Sequence, residues 1–137
     1  MRRKAPSKIM IPKDVFLKSK PLRNPYVKWE RYPSGEIAIL IERKETKFTK
    51  LLSKITHVPK YKKLVLDRIG SKVWELCDGE HTVEDIVNFL CEEYKLNRRE
   101  AEVSLTVYLQ NLMKRGLIGL RPPSELLRPH EAHKHGG

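Results

Sequence analysis

The stretch LDRIGSKVWELCDGEHTVEDIV, residues 66–87, constrains this chain more than any other. Asp67 stands where a carboxylate can accept from the free amides of a first helical turn, so the spacing predicts a helix from there to about Cys77. Ile69, Val73, Leu76 and Cys77 fall on one face of it, with Trp74 beside them. Gly79 can take the positive φ that ends a helix. Thr82 with Asp85 three residues on reads as an approximate capping box, opening a second helix whose buried stripe is Val83, Ile86, Val87 and Leu90. Asn97 and Glu100 repeat the signal for a third helix running to about Lys114, with Ala101, Leu105, Tyr108, Leu109 and Leu112 inward. Gly116 ends that helix, and LIGL after it is a short strand candidate. Capped helices, a glycine and a strand in this order outline a winged helix-turn-helix.

Such a motif in a chain of net charge +11 raises nucleic-acid binding, and the distribution of the charge argues against it for this helix pair. Residues 1–65 hold 18 Lys/Arg against 5 Asp/Glu, whereas residues 66–113 hold 5 against 10. A helix that reads DNA presents Arg, Lys, Asn or Gln to the groove. Here the second helix carries Glu84, Asp85, Glu92 and Glu93, and Arg98 and Arg99 of the third are offset at once by Glu100 and Glu102. The basic charge lies upstream and in the tails.

The upstream half divides by composition. Residues 1–26, with prolines at 6, 12, 21 and 25 and many lysines, read as a basic extended arm. VKWERY and EIAILIER flank Pro33-Ser34-Gly35 and read as a β-hairpin, its second strand the better buried because apolar residues occupy both faces. Residues 43–63 form a basic insertion of eight Lys/Arg and one glutamate. Within it Phe48, Leu51, Leu52 and Ile55 have the spacing of one amphipathic helix face, with Lys47, Lys50 and Lys54 on the polar side, ending before Pro59. KLVL then supplies a strand over residues 63–66, and residues 121–137 read as a flexible His-containing tail. The expectation is an α+β winged-helix domain at 27–120: a three-stranded antiparallel sheet packed on three helices, with an extra short basic helix and extended tails.

With the helices placed, LDRIGSKVWELCDGEHTVEDIVNFL and the later YLQNLMKRGLI resemble the PqqD family, small proteins named for pyrroloquinoline-quinone synthesis. The carrying positions include Leu66-Asp67, Gly70, Val73-Trp74, Asp78-Gly79, Thr82-Val83, Leu109, Leu112 and Arg115-Gly116-Leu117-Ile118. The resemblance implies a peptide-binding module and not an enzyme. It would recognise the leader of a ribosomally made precursor peptide and present it to a modifying enzyme, often a radical SAM protein. In that family the leader adds as a strand beside the third strand and lies along the third helix, which is β-augmentation. Carried over, the edge is the strand Lys63–Leu66, with Leu64, Val65 and Leu66 as its peptide-binding residues, and the flanking wall Val103, Val107, Tyr108 and Asn111. Val103, Val107 and Tyr108 are also open to two other readings, cover for the domain's own core or an oligomer contact. The insertion at 43–63 and the basic arm depart from the family pattern.

The alternative partner is RNA or the ribosome, gripped through phosphates by Arg2, Arg3, Lys4, Lys47, Lys50, Lys54, Lys60, Lys62 and Lys63. Trp29, Tyr32, Phe48 and Tyr61 interleave with these lysines and could stack on bases, or Trp29 and Phe48 could pack inward. His130, His133 and His135 are weak metal candidates on an unstructured tail, and no cofactor is expected. His57 and His81 have no acidic or nucleophilic companion at motif spacing, and no catalytic constellation is apparent. Cys77 and Cys91 read as small buried thiols in helical patterns. No apolar run reaches the ~18–20 residues that span a bilayer, and no secretory signal is recognisable. The expected setting is the reducing cytoplasm, with no membrane partner and an unassigned oligomeric state.

Overall fold

The computed structural model describes residues 11–124. They form α1 Lys13–Lys18, β1 Lys20–Arg23, β2 Lys28–Arg31, β3 Ile37–Glu42, α2 Lys47–Ser53, β4 Tyr61–Val65, α3 Arg68–Leu76, α4 Val83–Tyr94, α5 Arg98–Lys114 and β5 Ile118–Arg121. The fold class is α+β and winged-helix-like, as expected. The chain divides into two compact units, one of residues 24–75 and one that joins residues up to 23 with those from 76 onward.

In the first unit, β2, β3 and β4 make the three-stranded antiparallel sheet, with β3 in the centre. The β2–β3 turn falls on Pro33-Ser34-Gly35, where Gly35 sits at φ 96°, a region that only glycine enters freely. Its N–H donates to the Tyr32 carbonyl, and the Tyr32 N–H donates to that of Glu36. Alternation then sends Trp29, Ile37 and Ile39 to one face, and both isoleucines are fully buried. That face meets α3, where Trp29 packs edge-to-face on Trp74 with ring centroids 6.2 Å apart. Asp67 caps α3 as its position predicts, its Oδ1 accepting from the Gly70 N–H at 2.6 Å. The buried residues of α3 are Gly70, Ser71, Val73 and Trp74. Ile69, expected inward, is exposed, and Trp74, expected beside the stripe, is its centre. The rotation follows from Ser71, whose buried Oγ accepts the Ile37 N–H at 2.9 Å and draws the small-residue face of the helix to the strand.

The basic helix forms as α2. Thr46 is its N-cap, and the Thr46 and Thr49 side chains each accept from the other residue's backbone N–H. None of its residues is buried: Phe48, expected to pack inward or stack, is 67% exposed.

In the second unit, both sequence-read capping boxes are present. Thr82 accepts from Asp85 N–H while Asp85 accepts from Thr82 N–H, and Asn97 and Glu100 do the same for α5. Lys95 ends α4 in the left-handed region at φ 58°. α4 packs on α5, burying Val83, Ile86, Val87 and Leu90 with Ala101, Leu105, Leu109 and Leu112. Each fully buried aliphatic here contributes about 1.5–3 kcal/mol. The LIGL strand becomes β5, and its partner lies in the segment read as an extended arm. β1 pairs antiparallel with it, Leu22 opposite Gly119, and α1 precedes β1. The Arg23 N–H and the Pro21 carbonyl both turn to the other side, bonding Cys77 and Gly79. Pro21 therefore removes no bond from the β5 ladder, which is why a proline-bearing segment can be a strand here. Cys77 is buried as expected and Cys91 is half-buried.

Candidate functional site

β4 is an outer strand of its sheet. Two bonds fix its parity: the Leu66 N–H donates to the Ile37 carbonyl at 2.8 Å, and the Arg43 N–H to that of Lys60 at 2.9 Å. In an antiparallel ladder the bonded positions alternate, so 60, 62, 64 and 66 face β3. The backbone groups of Tyr61, Lys63 and Val65 point away from it, to an edge that no other strand pairs among the described residues. Of the three residues expected to bind peptide at this edge, Leu64, Val65 and Leu66, only Val65 offers its main chain outward, and its side chain is 52% exposed. Leu64 is half-buried with its main chain committed to β3, and Leu66 is buried. Lys63, within the expected edge, also faces outward, and Tyr61 completes it; backbone parity, which needs the register, is the signal that finds Tyr61.

The side chains of Tyr61, Lys63 and Val65 share the sheet face of Lys28 and Glu30. Lys63 Nζ lies 3.0 Å from Glu30, and this hydrogen-bonded carboxylate raises the ammonium pKa above its ordinary value. Lys28 Nζ donates to Tyr61 Oη at 3.4 Å. Lys62 is exposed. The edge is thus cationic, with apolar character at Val65.

On α5, in the other unit, Val103, Val107 and Asn111 follow at i, i+4 and i+8 along an exposed face, the two valines about half exposed. Tyr108 is half-buried and turned toward the core side of the helix. The N-terminus of this helix is fastened by Arg98, which reaches Glu84 at 2.7 Å and Glu102 at 2.6 Å. Glu102 also takes Lys13 at 3.0 Å. The Arg98 hydrogen bonds hold both carboxyls below their usual range.

The residues expected to bind nucleic acid separate into groups. Lys47, Lys50 and Lys54 lie on or at the end of α2, and Lys60, Lys62 and Lys63 lie on the way into β4 and along it. Arg2, Arg3 and Lys4 lie outside the described residues, as do His130, His133 and His135. Among the described residues, no group of three or more His, Cys, Asp or Glu side chains could hold a metal ion. Nor is any helix among them long and apolar enough to cross a membrane.

His81 is corrected: it does have an acidic companion. Its Nδ1 lies 3.0 Å from Asp78, because the turn after α3 bends residues 78–81 back on themselves. Asp78 Oδ1 also accepts the N–H groups of Glu80 and His81. Burial works to raise this carboxyl, but the Glu80 N–H, the His81 ring and the His81 N–H together hold it down at about 2. The pair organises a turn. Cys77 beside it is pushed up to about 12 by burial, which keeps the thiol protonated and unreactive.

No curated protein and no solved structure matches this chain. A family model does. Over residues 57–118, which carry β4, α3, α4, α5 and the first residue of β5, the chain matches the family described as coenzyme PQQ synthesis protein D (PqqD).

Proposed function

We propose that this protein is a non-catalytic peptide-recognition module. It receives an extended segment of a ribosomally made precursor peptide at the free edge of β4 and presents it to a modifying enzyme of radical SAM type. The observation that carries the reading is the outward row of main-chain groups at Tyr61, Lys63 and Val65. An added strand would saturate these donors and acceptors, which supply affinity without sequence choice. Choice comes from side chains, and exposed Lys62 favours an acidic or amphipathic segment, while Lys63 is engaged by Glu30. In its own unit, the Val103, Val107 and Asn111 face of α5 offers a further peptide contact. The match of residues 57–118 to the PqqD family supports a peptide-binding accessory role in making peptide-derived products.

The test uses peptides selected on the full-length protein by phage display. Hydrogen exchange on the selected complex should protect the amides of Tyr61, Lys63 and Val65. Lys63→Pro deletes one outward donor and leaves the β3 ladder intact, because edge strands tolerate proline. It should weaken binding about tenfold, the worth of a hydrogen bond of ~1–1.5 kcal/mol. Protection confined to other elements, or binding undiminished by Lys63→Pro, would reject strand addition. A fluorescent RNA bound with steep salt dependence, and lost on charge reversal at Lys47, Lys50 and Lys54, would favour the RNA alternative.

A further inference from the structure

The family match begins at residue 57, and α2 lies before it. The excursion that carries α2 leaves the sheet after Glu42 and returns at Tyr61, two residues paired across β3 and β4. On it Phe48, Leu51 and Ile55 are 67%, 59% and 80% exposed, so three large apolar side chains of one stripe have no cover among the described residues. A soluble surface seldom carries such a cluster on one short helix and the turn that follows it.

The charge around the stripe says what it meets. At 3.6 residues per turn, Lys47 and Lys54 fall about 90–110° from the stripe's centre and Lys50 lies behind it. Arg43, Lys44, Lys60 and Lys62 stand at the feet of the excursion, and Glu45 is the one acid in residues 43–63. The apolar side chains form a ridge on a helix none of whose residues is buried, not a groove lined for a peptide. A ridge of bulky apolar groups bordered along one side by lysines suits a deformable anionic phase: the apolar groups enter the acyl boundary and the lysine stems reach back to the phosphates.

We propose that α2 is a peripheral anchor that seats this protein on an anionic lipid bilayer. Phe48, Leu51 and Ile55 insert into one leaflet, and Lys47, Lys50 and Lys54 engage the headgroups. The contact is reversible, because one short helix buries little, and it is distinct from a membrane span. It is independent of the peptide reading, which rests on β4.

The experiment is co-sedimentation of the full chain with phosphatidylcholine vesicles, with or without roughly a third phosphatidylglycerol. Two triple variants are compared with the parent, F48S/L51S/I55S and K47E/K50E/K54E. Because the helix is exposed, both should keep the near-ultraviolet signal of the Trp29–Trp74 pair. The parent should bind the anionic vesicles and lose that binding with added salt. Each variant should bind at least tenfold more weakly, the lysine variant on the order of 100-fold. Failure of the parent to bind anionic vesicles overturns the proposal, as does equal binding to pure phosphatidylcholine. Undiminished binding by F48S/L51S/I55S also overturns it, since that is adsorption by charge alone. An acidic peptide or an RNA held by α2 in place of vesicles would assign the ridge to that partner and reject the lipid.

Discussion

At Asp78 one carboxylate accepts two main-chain N–H groups and faces the His81 ring, and its depressed pKa is a stability statement. A carboxyl held at about 2 when folded, against ~3.9 when unfolded, stabilises the fold above the higher value. That contribution is lost as pH falls from about 4 to about 2. Asp78→Asn keeps an acceptor oxygen but removes the titration. Urea melts should therefore show the parent losing about 1 kcal/mol more than the variant across that window, a figure already reduced for solvent screening. A parallel loss in both proteins would show that the pair carries no such linkage. Next to it, Gly79 sits at φ 82°, and an added Cβ would lie 2.9 Å from Leu22 Cδ1. Gly79→Ala should cost about 1–2 kcal/mol from the backbone conformation alone. The end of a leucine side chain can shift, so the crowding adds little beyond that. Gly116→Ala, at φ 73° with open space around it, isolates the conformational part, and thermal melts of the two should agree closely.

The elements differ in how far their residues announce them. The caps of α3, α4 and α5 were legible because a cap is a local contract between residues three apart: Asp67 with Gly70, Thr82 with Asp85, Asn97 with Glu100. The α2 helix was legible from the spacing of Phe48, Leu51, Leu52 and Ile55, yet its exposure was not, since spacing defines a face without saying what covers it. On α3 and the residue after it, Val73 and Cys77 are buried as read, whereas Ile69 is exposed and Ser71 and Trp74 are buried with them. What places them is a bond from another element, the Ile37 N–H to Ser71 Oγ. That bond makes a prediction for the element pair. Ser71→Ala leaves a buried N–H without its acceptor and should cost about 1–3 kcal/mol. Ser71→Thr keeps the hydroxyl and should recover part of it. If chemical denaturation finds alanine no worse than threonine, the α3–β3 bond contributes nothing.

Across the whole chain, the family match and the folding units do not coincide. Residues 57–118 include β4 and omit β3, its neighbour in the sheet, and they end at the first residue of β5 while omitting β1. The pairing of β1 with β5 joins segments about a hundred residues apart, and neither KPLR nor IGLR advertises it. Strand pairing at that separation depends on what the intervening chain brings together, which local pattern cannot report. Removing residues 1–23 tests it. The deletion takes away buried Pro21, the β5 ladder, and the acceptors for Gly79 N–H and Val83 N–H, on Pro21 and Ser19. Two orphaned N–H groups at about 1–3 kcal/mol each, with the lost ladder, are comparable to the total stability of a small domain. The truncated protein should therefore show a drop in melting temperature well beyond that of any point variant above, and fast exchange at the β5 amides. A fragment of residues 57–118 should fail to fold cooperatively, because β4 without β3 is an isolated strand. A truncation that melts with the parent would make the segment before Asn24 dispensable, and the β1–β5 pair would then have no part in holding the α4–α5 core.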